Sequence, residues 1–335
     1  MGAALVVVVL LALAFDLTNG FHDSSNAIAA PVATGAMTPG EAVSVSATFN
    51  LLGPIIAGTA VADTVGGIVM LGPDQTMVVL ACALAAAVTW NLLTWWLGLP
   101  SASSHALVGG LVGAGVAMAG AHAINWGGVH GLRPAGVVGI LVWLAISPLL
   151  GAFVGALGER VARRSLRRAR RRVERPIIKG EWATSAGLAF AHGTNDAQKT
   201  MGVITTALVA AGVLTSFSVP LWVKLLCACA LTVGSALGGW RIVRTLGKGI
   251  YRITPLDGLV SQASSTAVIG AAAFLGAPVS TTHVVASSVV GVGAARRWRH
   301  VRWRVVREIL LAWLVTMPSC AAVAALLAGS WRVVQ

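Results

Sequence analysis

Two stretches decide how this chain is read: Asn19-Gly20-Phe21-His22-Asp23-Ser24-Ser25-Asn26 and His192-Gly193-Thr194-Asn195-Asp196-Ala197-Gln198-Lys199. Each sets a glycine and then an aspartate into an otherwise apolar run. A second polar segment follows each of them, Leu99-Pro100-Ser101-Ala102-Ser103-Ser104-His105 after the first and Ala277-Pro278-Val279-Ser280-Thr281-Thr282-His283 after the second. Order and spacing are both kept, since Asp23 precedes His105 by 82 positions and Asp196 precedes His283 by 87. Self-similarity of this kind predicts two halves descended from one unit. The expected division is a first membrane repeat at 1–158, a linker at 159–180 and a second membrane repeat at 181–335.

The sequence around these motifs belongs in a bilayer. Of 335 residues, 56% are apolar and 10% are charged, against roughly 25% charged in an ordinary soluble domain, and the mean hydropathy is +0.82. A spanning helix uses about 20 residues, so the expectation is an all-α polytopic membrane protein of about ten to twelve membrane segments. The opening run MGAALVVVVLLALAF lacks the basic start and small-residue cleavage site of a signal peptide and reads as a retained first helix. Cys82, Cys227, Cys229 and Cys320 have no metal-ligand or redox spacing and read as small core residues.

Charge supplies the orientation. There are 24 Lys and Arg against 11 Asp and Glu, a net charge of +13, yet the first basic residue is Arg133. All but Arg133, Lys199, Lys224 and Arg332 fall in three clusters: Arg160 to Lys179, Arg241 to Arg252 and Arg296 to Arg307. A nucleic-acid binder spreads its cations over a folded surface, so that partner is excluded. By the positive-inside rule all three clusters lie on the cytoplasmic side of the plasma membrane. The second half then starts inside and ends outside. If the first half has the same odd number of crossings, it starts outside and ends at the cytoplasmic linker, and both termini lie outside. Two inverted-topology repeats with discontinuous or re-entrant helices are the architecture of many secondary transporters.

The motifs carry the chemistry. In a helical register Asn19, Asp23 and Asn26 share one face, a carboxylate between two amides, and Asn195 and Asp196 repeat the pattern. Oxygen ligands of this sort suit a hard cation such as Na⁺, and a carboxylate that changes protonation suits H⁺ equally. Asp16, three residues before Asn19, is a further protonatable group, and Lys199 can pair with Asp196 or attract an anion. Ser101, Ser103, Ser104, Ser280, Thr281 and Thr282 gather hydroxyls at helix starts, where backbone N–H groups also favour an anion. Taken singly, each of these could simply cap a helix. His105 and His283 close the two segments at matched positions and are secondary candidates, as are the unmatched His22 and His192. Glu41, Asp63 and Asp74 read as loop or helix-end markers.

The two aspartate motifs, with Gly98-Leu-Pro-Ser-Ala-Ser-Ser-His105 and Pro278-Val-Ser-Thr-Thr-His283, closely resemble the duplicated signatures of the inorganic phosphate transporter family, the low-affinity bacterial phosphate permeases. The resemblance runs from Phe15 to the last helix. It implies a secondary carrier for inorganic phosphate, or for a neutral complex of phosphate with Mg²⁺ or another divalent cation, moved by symport with H⁺ or Na⁺ and using no cofactor. The alternatives are a sulfate permease of the same fold and a membrane-embedded lipid phosphatase. The latter is disfavoured because no arginine stands in the motif segments to clamp a transferring phosphoryl group. The oligomeric state, a homo-oligomer included, is left open by the sequence, as is the identity of any metal.

Overall fold

The computed structural model describes residues 2–130, 133–167, 174–245 and 249–334. The chain is almost wholly helical: α1 (Gly2–Asp23), α2 (Ser25–Thr34), α3 (Pro39–Ile56), α4 (Ala60–Gly66), α5 (Pro73–Leu97), α6 (Ser103–Ala119), α7 (Gly136–Ser165), α8 (Glu174–Ala210), α9 (Leu221–Leu237), α10 (Trp240–Arg244), α11 (Pro255–Phe274), α12 (Thr281–Arg297) and α13 (Trp303–Val334). One short antiparallel hairpin, β1 (Gly128–His130) with β2 (Arg133–Ala135), lies between α6 and α7.

Local chemistry sets the helix ends. Thr38 and Glu41 form a reciprocal capping box ahead of α3, with Pro39 in its first turn, and Thr254 with Asp257 does the same for α11. Asp63 and Asp74 fall in the first turns of α4 and α5. Glu41, Asp63 and Asp74 therefore stand where helix-end markers are expected.

Polarity runs inside out. Leu149 and Phe153 of α7 are 70% and 65% exposed, and Leu314 and Leu326 of α13 are 72% and 74% exposed. Meanwhile Asp16, Asn19, Asp23, Asn195, Asp196 and Lys199 are all buried. Water would reverse that distribution, and hydrocarbon around the bundle explains it. Among the described residues, four helices, or five if the α3–α4 pair bent by 75° is one span, are long and apolar enough to cross a membrane. This measure does not reach the expected ten to twelve. α6, α9 and α12 have 17 residues each, and α8 carries Asn195, Asp196 and Lys199 in its middle, which lowers its apolarity.

The aspartate motifs do not sit where a helix is interrupted. Asp196 lies within the 37 uninterrupted residues of α8. Asp23 ends α1, but Ser24 is the only irregular residue before α2, and Ser24 N still donates to Gly20 O at 2.9 Å. The interruptions fall instead at the hydroxyl segments, between α5 and α6 and between α11 and α12. Helix also extends into both ends of the 159–180 segment, as the end of α7 and the start of α8. Arg168, Arg170, Arg171 and Arg172 of that segment lie outside the described residues.

Packing crosses between the halves. α1 packs on α9 and α3 on α8, while α6 packs on α13 and α7 on α12. All four crossings need glycine: Gly109 and Gly113 of α6 lie against α13, Gly151 and Gly155 of α7 against α12, and the other two crossings use glycines of the aspartate motifs. A Cβ added at Gly20 of α1 would sit 2.9 Å from Ser235 N and 3.0 Å from Gly234 Cα of α9. A Cβ added at Gly193 of α8 would sit 2.6 Å from Asn50 O of α3. Backbones this close leave no room for any side chain, which is how small residues let membrane helices associate. Gly20 and Gly193 are the glycines that precede the aspartates in the two motifs.

A candidate anion and cation site where the halves meet

Asp23 and Asp196, 173 positions apart in the chain, come together at the centre of the bundle. Oxygens of both carboxylates and a ring nitrogen of His192 lie within 4.8 Å of one another, and all three residues are buried. The α11–α12 interruption supplies Thr281, whose hydroxyl donates to Asp196 Oδ2 at 3.0 Å and approaches Asp23 Oδ2 at 3.5 Å. The α5–α6 interruption supplies Ser103, 3.4 Å from the same Asp23 oxygen. Thus one hydroxyl segment from each half faces the same acidic pair.

The two segments also touch directly. Ser104 Oγ donates to Val279 O at 2.9 Å. Lys199, 1% exposed, pairs with Asp196 Oδ1 and donates to Ser104 Oγ at 2.6 Å and to Val279 O at 2.8 Å. A buried ammonium held by three acceptors is satisfied. Of the two roles the sequence offered for Lys199, this geometry displays the pairing with Asp196. Asn26 Nδ2 donates to Thr282 Oγ1 at 3.1 Å, and Asn195 exchanges bonds with the α11–α12 interruption, giving Nδ2 to Ala277 O at 3.1 Å and accepting from Val279 N at 3.3 Å.

Other sequence-identified residues stand apart. Ser101 bonds Thr94 Oγ1 at 2.9 Å and lies 3.3 Å from His22 Nε2. Ser280 caps α12, accepting from His283 N at 3.2 Å, which is the simple helix-start role. Asp16 is bonded by Thr200 at 2.5 Å, toward α8. Asn19 has no hydrogen-bond partner for either side-chain atom, and Asp16 Oδ2 and Asn26 Oδ1 also have none. His105 and His283 meet with their rings tilted and centroids 4.6 Å apart, and His283 stacks on Trp313 at 3.6 Å.

Sequence reasoning undervalued His22 and His192. His22 Nδ1 lies 2.6 Å from Asp23 Oδ1, and His192 Nε2 lies 3.0 Å from Asp196 Oδ2. Each aspartate therefore has its own histidine, but the spacing is one residue in the first motif and four in the second, so no sequence alignment of the motifs pairs them. Asn50 and Thr94, which hold the outer ring nitrogens of these histidines at 2.9 Å and 3.2 Å, belong to neither motif and stand among other polar residues of α3 and α5.

A family model described as the phosphate transporter family matches residues 19–178 and 162–324. The chain belongs to the phosphate transporter family. Within it, a protein of Mycobacterium bovis named "Probable low-affinity inorganic phosphate transporter" is 45% identical over 97% of this chain and 77% of its own length. Proteins of the same name from Bacillus subtilis and Rhizobium meliloti are 37% and 41% identical, each over 96% of this chain and 95% of the relative. A solved structure titled "The sodium-dependent phosphate transporter" superposes with a TM-score of 0.88 over 99% of this chain and 100% of that one, at 22% identity. That likeness shows the fold. As a phosphate transporter family member the chain is a membrane transporter and not an enzyme, and the phosphatase alternative falls.

Proposed function

We propose that this chain is a secondary carrier of inorganic phosphate, driven by symport of H⁺ or Na⁺ across the plasma membrane. The observation that carries the reading is the meeting of two hydroxyl segments, one from each half, over the Asp23–Asp196 pair. Ser103, Ser104, Thr281 and Thr282, with Ser101 and Ser280 behind them, offer donors to a tetrahedral oxyanion. Asp23 and Asp196, with Asn19, Asn26, Asn195 and Asp16, carry the coupling cation. Lys199 sets the position of Asp196 and reaches the anion through Ser104. An anion that enters against a negative-inside potential costs about 2.3 kcal/mol per charge per 100 mV, and the cations offset that cost.

The packing supports two inverted repeats of 1–158 and 181–335. With α1 matched to α8, α3 to α9, α5 to α11, α6 to α12 and α7 to α13, the four largest crossings between the halves pair up: α1 on α9 answers α3 on α8, and α6 on α13 answers α12 on α7. Rocking of one unit against the other would open the shared site alternately to each side. The arginine clusters support a cytoplasmic 159–180 segment and external termini.

Phosphate uptake into proteoliposomes tests the reading. An imposed proton or sodium gradient drives accumulation, and Asp23→Asn or Asp196→Asn abolishes it. Uptake that ignores both gradients, or survives both substitutions, sinks the model. Competition between phosphate and sulfate separates this carrier from the sulfate permease alternative.

A further inference from the structure

We infer that Ser185 and Gln262 are positioning residues for the central site. From α8 and α11 they hold the backbone carbonyl of Ala27, and through it they set Asn26 against Thr282. The inference rests on the phosphate-carrier reading for its purpose, though the contacts that carry it stand apart from that reading.

A proline opens the carbonyl. Pro31 lies inside α2, and because proline has no N–H, the carbonyl four residues before it lacks the donor that a helix would supply. That carbonyl belongs to Ala27, which is 2% exposed, and a buried carbonyl requires a donor from elsewhere. Two side chains of the second half provide it, Ser185 Oγ at 3.0 Å and Gln262 Nε2 at 3.1 Å. Both residues are buried. A carbonyl can only accept, so the amide nitrogen of Gln262 is the end that faces α2, and its Oε1 then lies 3.1 Å from the hydroxyl of Thr184.

What the carbonyl controls is Asn26, the residue before it. Asn26 Nδ2 donates to Thr282 Oγ1 at 3.1 Å, which leaves Oδ1, buried and without a hydrogen-bond partner, as the oxygen it offers to a coupling cation. α2 has ten residues, fewer than the roughly 12–15 at which an isolated helix is even marginal, so its place is set from outside. Its flanks are tied in the same manner: Ser24 Oγ accepts from Gly239 N at 2.9 Å, Thr34 Oγ1 donates to the Glu181 carboxylate at 2.9 Å, and Trp182 Nε1 donates to Ala36 O at 2.9 Å. The other half is built differently. Counted from the two aspartates, Ala27 and Pro31 correspond to Thr200 and Ile204, where α8 is continuous. Lys199 therefore stands on its own helix, while Asn26 stands on a short segment pinned by side chains of the opposite half. In this arrangement α2 moves with α8 and α11 rather than with α1.

Restoring the missing donor is the test. Ser185→Ala with Gln262→Leu removes both side-chain donors, and adding Pro31→Ala returns a backbone N–H to the Ala27 carbonyl, so the triple variant should regain what the double variant loses. Peptides spanning residues 25–34 should exchange hydrogen about 10-fold faster in the double variant than in the parent, and at the parent rate in the triple variant. In proteoliposomes, uptake is measured under whichever imposed gradient, sodium or proton, drives phosphate into vesicles carrying the parent. The double variant should need about 10-fold more of that cation for half-maximal uptake, with the maximal rate within about twofold of the parent, and the triple variant should need the parental amount. Exchange or cation requirement unchanged in the double variant overturns the inference. So does a loss that Pro31→Ala leaves unrepaired, because a packing defect at positions 185 and 262 would persist whereas a missing donor would not. Uptake with unchanged exchange removes the positioning role alone. No uptake by the parent under either gradient, with the exchange response as expected, supports the hold on α2 and removes the carrier reading.

Discussion

Replacing Lys199 by methionine is the most informative single perturbation of the central site. Methionine keeps the length of the stem and removes the ammonium, so the side chain still fills its space, while Asp196 loses its closest partner and Ser104 and Val279 each lose a donor. Lys199 is 1% exposed and Asp196 fully buried. Breaking a buried pair by removing one partner costs about 3–5 kcal/mol, because the other charge is left uncompensated. The two lost hydrogen bonds fall within that figure, as the same ammonium makes them. Asp196→Asn with Lys199→Met removes both charges together and recovers a large part of the loss, so the double-mutant cycle should give a coupling at the upper end of the roughly 0.5–3 kcal/mol seen for residues in contact. Thermal unfolding of the four proteins in one detergent, followed by tryptophan fluorescence, reads the cycle. If Lys199→Met alone is as stable as the parent, or the double variant is no more stable than Lys199→Met, the ammonium is not holding the carboxylate and the reasoning fails. Phosphate uptake by Lys199→Met should fall even at temperatures where the variant is folded, because the site then holds two uncompensated carboxylates.

Further outcomes are expected at other points. Gly20→Ala and Gly193→Ala force apart two helix crossings that have no space for a Cβ, and each should cost about 1–3 kcal/mol of overpacking in the same unfolding assay; Gly270→Ala, where a Cβ meets nothing, should be silent. Asp257 accepts from Arg163 at 3.1 Å and from Arg296 at 2.9 Å, and with both arginines partly exposed, Asp257→Asn should cost about 1.5–3 kcal/mol, a loss that added salt narrows in the parent. Trp313→Phe keeps an aromatic face on His283 but loses the 3.0 Å bond to Pro100 O. It should lower stability by about 1 kcal/mol and loosen the α5–α6 interruption, seen as faster hydrogen exchange at residues 99–102.

The motifs were legible because polar residues are conspicuous in an apolar chain: Asp23, Asp196 and the Ser-Ser and Thr-Thr pairs stand out at once, and their repetition carried the reading of two halves. The structure brings these groups to one place. What stayed hidden was the partnership among them. His22 stands one residue from Asp23 and His192 four residues from Asp196, so the two pairs do not align in the sequence. Asn50 and Thr94 have no motif around them, and their value comes from a ring nitrogen delivered by another helix. The hydroxyl segments read as helix starts in the sequence, and Pro100 and Pro278 stand where the backbone departs from a helix ahead of α6 and α12. α8, which lines the site with buried polar side chains, is less apolar than the helices whose leucines and phenylalanines are exposed.

The reciprocal crossings also bear on how the molecule is made. Every major contact of α1, α3, α6 and α7 outside their own half is with a helix that leaves the ribosome later. During synthesis the first half therefore precedes the helices that cover Gly20 and complete the hydrogen bonds of Asn50, α8 and α9. Neither half can mature by itself. A chain cut between 159 and 180 should assemble only when both pieces are produced in the same cell, and the piece made alone should be cleared as an orphan subunit is cleared.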